Sequence, residues 1–166
     1  MTHIILTGHG HFAAGIASAL EMVAGDLDAF TVVEFTQEDA QTYPDKLSSV
    51  IDAGLSSEGS VLVFCDLKGG TPFNCSMLSA AQNEHVEVVG GVNLPVLIET
   101  VMMRGADATR TAADLAEIAM TAAKSAITRD NKASLESSQT GAADEQHNGA
   151  ECDDQNLSKF DEDEGI

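Results

Sequence analysis

Four short runs of β-branched and apolar residues, HIILTG, FTVVEF, GSVLVFCD and HVEVVGGV, recur through the first hundred residues, and the stretches between them carry helical periodicity, as in FAAGIASALEMVAG. This alternation reads as β-α-β-α-β-α-β. Strands that are apolar on both sides and joined by helices predict a parallel sheet covered on both faces, with right-handed crossovers. The class is α/β, doubly wound.

Length limits how many such units the chain holds. With 166 residues and 43% apolar content, one ordinary core is expected in a single domain. That domain is placed at residues 1–130. Beyond it, residues 131–166 turn to Ser, Gln, Asn, Gly and acid, with ten acids against two lysines, and read as a mobile acidic tail. The tail carries −8 of the formal charge of −19.

Two further helices follow the fourth strand. NLPVLIETVMMRG opens with Asn93 as a cap and Pro95 in the first turn, then runs apolar around nearly its whole circumference. Burying such a helix on all sides is expected to take a second subunit. Residues 109–128 carry Ala, Leu, Ile and Met at helical spacing and read as an ordinary amphipathic helix.

Composition also excludes several classes of partner. Eight scattered Lys and Arg residues on a chain of charge −19 argue against nucleic acid, and a basic protein partner suits the surface better. Cys65, Cys75 and Cys152 lack CxxC spacing, so no disulfide framework or zinc site is indicated. No apolar run approaches the roughly 18 residues of a membrane span, and a cytoplasmic protein is expected.

The chemistry concentrates in LTGHGHFAAG, residues 6–15, where two histidines stand between glycines at the end of the first strand. GHGHFA satisfies the dinucleotide pattern G-x-G-x-x-G/A, with Glu34 closing the second strand about twenty residues on, yet four strands scarcely supply two mononucleotide halves. His9 and His11 also form an HxH pair. Further ligands are missing, since His3 and His85 lie near strand starts at the opposite edge of the sheet, so no metal is expected.

The third strand ends in FCDLKGGTPFN. With the flavodoxin-like order 2-1-3-4, the sheet's switch point falls between strands one and three, and the ends of those strands, His9 and Asp66, become neighbours at about the 5 Å strand spacing. An aspartate beside an imidazole fixes its tautomer and frees the other nitrogen as a nucleophile. A capping aspartate near a surface histidine would have the same spacing. GGTPFN reads as a loop leading into Thr71 as N-cap and Pro72 at the first helical position. Its amides, and those of the helix after Gly10, suit a phosphate.

GHGHFAAG, DLKGGTPFN and GVNLPVLIETVMMR, in that order and spacing, resemble the enzyme IIA components of the mannose class of the bacterial sugar phosphotransferase system, over about residues 3–105. The terminal EGI is similar to members assigned to N-acetylgalactosamine or galactosamine uptake. The resemblance implies a homodimeric phosphocarrier that accepts phosphate on His9 from the phosphocarrier HPr. It passes that phosphate to a IIB component on a separate polypeptide, and through it to membrane IIC and IID. Asp66 is implied to orient His9, and Gly10, Gly69, Gly70 and Thr71 to hold the phosphoryl group, without a cofactor.

Family members commonly exchange a fifth strand between subunits, whereas no strand is legible here between residues 121 and 140. Lys68 is expected to face solvent, His11 to be a solvent-facing first-turn residue, Phe12 to pack beneath the first helix, and Cys65 and Cys75 to be inert buried thiols. Two other functions fit the same residues: a regulatory module phosphorylated on histidine, and a small nucleotide-binding protein using GHGHFA.

Overall fold

The computed structural model describes residues 1–131, of which Met1–Thr128 form one compact unit. The acidic segment expected from residue 131, including the EGI terminus, lies outside the described residues apart from Asn131. The elements run β1 (Thr2–His9), α1 (Phe12–Ala24), β2 (Phe30–Phe35), α2 (Tyr43–Glu58), β3 (Ser60–Cys65), α3 (Thr71–Ala80), β4 (Val86–Gly90), α4 (Leu94–Ala106) and α5 (Ala112–Ala122). The strands form a parallel sheet in the order β2-β1-β3-β4, as the alternation predicts.

Successive residues of a strand face opposite sides, so a strand covered on both faces is apolar throughout. β1 illustrates this. Ile4 and Leu6 join Leu62, Phe64 and the inner faces of α1, α4 and α5, while Ile5 joins Val33, Val61 and Val63 against Tyr43, Leu47 and Ile51 of α2. Ile4, Ile5 and Leu6 are all fully buried.

Local chemistry sets the helix starts. All three prolines, Pro44, Pro72 and Pro95, stand in first turns, where the missing N–H costs little. The Asn93 side chain accepts from the Val96 N–H at 3.1 Å, as its capping position predicts. α5 is shorter than its periodicity suggests: a capping box between Thr111 and Asp114 begins the helix at Ala112, and it ends at Ala122.

The apolar circumference of α4 is consumed largely within the chain. α1 and α5 flank it on the same face of the sheet, burying Val96, Leu97 and Val101, while Met102 remains exposed. Its composition therefore does not by itself require a second copy. The inward Arg104 of α4 is also buried, and its guanidinium donates to the Ala29 carbonyl at 2.9 Å and to the Asp28 carbonyl. These bonds hold the turn into β2, where Ala29 adopts a φ of 46°.

Candidate functional site

At the carboxyl edge of the sheet, β1 ends on His9, in register with Phe35 of β2, and β3 ends one residue before Asp66. The sheet brings His9 and Asp66 together as the strand order predicts. The Asp66 carboxylate accepts the backbone N–H of His9 at 2.9 Å through Oδ2. The same oxygen lies 2.9 Å from His9 Nδ1, with Oδ1 at 3.2 Å. A carboxylate only accepts, so Nδ1 is the donor and Nε2 keeps its lone pair. Asp66 is mostly buried, whereas the His9 side chain is 43% exposed and open to an incoming group.

Two glycines make room for this pair. A Cβ on Gly8 would meet the Phe12 ring at 2.8 Å and Asp66 Cγ at 3.0 Å, so a side chain there would displace the carboxylate. A Cβ on Gly70 would stand 2.7 Å from His9 Cε1 and 3.5 Å from Nε2. The free edge of the imidazole therefore lies directly against the amino end of α3.

Gly70, not Thr71, is the N-cap of α3. Its backbone is extended (φ −70°, ψ 170°), Thr71 and Pro72 are the first two helical residues, and no side chain caps the helix. The cap falls one residue earlier than the sequence suggests, because Thr is a common cap and the closeness of Gly70 to His9 is not visible along the chain. Thr71 is exposed at the first helical position. In the first turn of α3 the Gly70 N–H donates to the Leu67 carbonyl and Pro72 has none, so the Thr71 and Phe73 amides, at the helix's positive dipole end, are those that favour an anion in the crevice beside Nε2. Asn74 fastens the preceding loop by donating to the Gly69 carbonyl at 3.0 Å.

On the other side, Gly10 adopts a φ of 55°, and its N–H donates to the Phe35 carbonyl at 2.8 Å, turning the chain from β1 into α1. His11 is the N-cap of α1 rather than a first-turn residue. Its exposed ring bonds Glu34 Oε1 at 2.9 Å instead of closing the helix end. The two histidines thus engage different carboxylates, and Glu34 belongs to His11. Among the described residues no group of three or more His, Cys, Asp or Glu is placed to hold a metal ion.

Lys68 faces solvent and Phe12 packs against the core beneath α1, both as expected. Cys65 is fully buried beside Ser76, and burial pushes its thiol up to about 12. Cys75 is only half-buried, a departure from expectation, although burial raises its thiol too. Sequence reasoning missed Gly8, Phe35 and Tyr43. Phe35 packs edge-to-face on the His9 ring, with centroids 5.4 Å apart. Its position at the end of β2, beside the end of β1, was the only available signal.

The arrangement defines a class: doubly wound α/β proteins with an aspartate-held histidine at the switch point and a helix amino end beside its free nitrogen. Within that class the match is specific. The family model EIIA-man, described as the PTS system fructose IIA component, matches residues 3–120, and the chain belongs to this family. Membership carries a phosphotransfer role in sugar uptake.

Among similar proteins, the PTS system sorbose-specific EIIA component of Lacticaseibacillus casei is 38% identical over 97 residues, covering 58% of this chain and 69% of that protein. The PTS system mannose-specific EIIAB component of Escherichia coli K12 is 34% identical over 105 residues, covering 63% of this chain but only 32% of that longer protein. The crystal structure of phosphotransferase system component EIIA from Streptococcus agalactiae superposes with a TM-score of 0.67 at 29% identity, covering 78% of this chain and 97% of that one. Among the described residues no helix is long and apolar enough to cross a membrane.

Proposed function

We propose that this protein is a phosphohistidine relay that accepts phosphate from phospho-HPr on His9 Nε2 and passes it to a IIB component, which serves membrane IIC and IID. The observation that carries this is the 2.9 Å contact from His9 Nδ1 to Asp66, with the other edge of the ring against the amino end of α3. The Nε2 lone pair attacks phosphorus in line, a bond forms from Nε2, and the bond to the donor's ring nitrogen breaks with its electron pair returning to that nitrogen. Positive charge that develops on the His9 ring is met by the Asp66 carboxylate through Nδ1–H. The phosphoryl oxygens enter the crevice lined by Gly10, Gly69, Gly70 and Thr71, with the Gly69 amide and the Thr71 hydroxyl as donors, since the Gly10 and Gly70 N–H groups already donate to the carbonyls of Phe35 and Leu67.

Such a transfer between two imidazoles needs alignment and charge compensation more than covalent help, so a compact protein surface suffices. The protein acts in the cytoplasm as a homodimer, its domain comprising residues 1–130. The sugar is carried by other components of the system.

The test is incubation with labelled phosphoenolpyruvate, enzyme I, HPr and a IIB protein. His9→Ala should abolish labelling, and His11→Ala should retain it with an acid-labile, base-stable adduct. A labelled His9→Ala protein would overturn the assignment of the nucleophile. A wild-type phosphoprotein that no IIB protein can discharge would instead indicate a regulatory module.

A further inference from the structure

Asp66 anchors one atom of the His9 ring and one backbone amide, but a single ring hydrogen bond leaves the imidazole plane free to swing about that contact. Any swing carries Nε2 away from the amino end of α3. What restrains the plane is aromatic. Phe35, the register partner of His9 across β1 and β2, meets the ring at an interplanar angle of 86°. Tyr43, the first residue of α2, holds Phe35 in turn, with ring centroids 4.8 Å apart at 68°.

Tyr43 is itself pinned. It is fully buried, and its hydroxyl lies 2.6 Å from Thr7 Oγ1. Thr7 has one hydroxyl proton and donates it to the Val33 carbonyl, so Tyr43 must be the donor to Thr7. Thr7 and Val33 are register partners, as are His9 and Phe35 two residues further along the same strands. The contacts therefore close a ring: Thr7 and His9 on β1, Val33 and Phe35 on β2, and Tyr43 bridging them from α2.

We propose that Phe35 is a positioning residue for His9, locked by the Tyr43–Thr7 hydrogen bond, so that the free nitrogen is aimed before any partner arrives. This rests on His9 being the phosphate acceptor. Aromatic pairs favour edge-to-face contact over free rotation, and a misplacement of about 1 Å can slow a transfer on the order of a hundredfold.

Phe35→Leu keeps the apolar bulk but removes the ring, and Tyr43→Phe removes only the lock. Single-turnover uptake from phospho-HPr should slow about ten- to a hundredfold in Phe35→Leu at saturating donor, with an unchanged half-saturating concentration, and less in Tyr43→Phe. NMR of the ¹⁵N-labelled His9 ring in the unphosphorylated protein should show a lower Nδ1–H tautomer fraction in Phe35→Leu. A wild-type rate and tautomer fraction in a folded Phe35→Leu protein would overturn the proposal, as would a change confined to the half-saturating concentration, which marks a docking contact. If Phe35→Leu fails to fold, Tyr43→Phe decides by the same two readouts. A wild-type protein that takes no phosphate on His9 defeats the relay, while the tautomer measurement still judges the ring's alignment.

Discussion

Replacing Asp66 by Asn leaves the shape of the side chain intact and changes only its charge and one of its two acceptors. The His9 backbone N–H is a fixed donor 2.9 Å away and claims the amide oxygen. The NH₂ group then takes the place of the other oxygen, 3.2 Å from Nδ1, while the retained oxygen still lies 2.9 Å from Nδ1 and accepts its proton. The Nε2 lone pair is kept, and what is lost is the negative charge behind the ring and one bond's charge assistance. A hydrogen bond to a charged group contributes about 1.5–3 kcal/mol against about 1 for a neutral pair, and the half-exposed ring places the loss toward the lower part of that range. Adding the lost compensation of positive charge in the transition state gives about 1.4–2.7 kcal/mol, or a ten- to hundredfold slower transfer. The assay is rapid-quench uptake from labelled phospho-HPr, with a circular dichroism melt showing that folding survives. Transfer within twofold of wild type in Asp66→Asn would refute this account of the carboxylate's charge.

Gly70→Ala tests the other edge of the ring: its methyl would stand 2.7 Å from His9 Cε1, a mobile side-chain atom, so the protein should fold with a displaced imidazole and lose most of its transfer rate at nearly unchanged Tm. Wild-type transfer would show that the crevice is looser than described. His3 bonds Thr31 Oγ1 at 2.9 Å, and burial lowers its pKa from the ordinary 6.5 despite the opposing pull of Glu58. The unfolded chain therefore binds the proton more readily, so the stability from neutral His3 is complete above pH 6.5 and is lost as pH falls below it. The drop in Tm between pH 7.5 and 5.5 should be smaller in His3→Gln, and parallel profiles would exclude His3 as the cause. Truncation after residue 130 should leave phosphate uptake intact and shift Tm by less than about 5 °C, since Met1–Thr128 form a compact unit; a larger fall, more than about 1 kcal/mol, would make the removed segment structural.

Much of this protein was legible along the chain, because its signals are local. Continuous apolar runs such as HIIL and VLVF declare strands buried on both faces, and prolines at 44, 72 and 95 mark helix starts. GHGHFAAG and DLKGGTPFN place a histidine and an aspartate at two strand ends, and a parallel sheet in the order 2-1-3-4 makes those ends adjacent. His9 and Asp66 could be paired from topology alone for that reason.

Features that depend on the space between elements were decided only in three dimensions. Capping preference put the cap of α3 at Thr71, but Gly70 takes that place, where a Cβ would collide with His9 from a different strand. Glu34 looked like the acid of a nucleotide pattern and instead holds His11. The apolar α4 suggested a second subunit, yet α1 and α5 cover most of it because right-handed crossovers bring all three to one face. Phe35 and Tyr43 read as ordinary core residues, since whether a ring touches the imidazole depends on strand register and on where α2 begins. Periodicity and capping are properties of neighbours in sequence, whereas a site is built from contacts between distant residues, such as Thr7 with Val33, 26 positions apart, and His9 with Asp66, 57 apart, which only the packed fold sets.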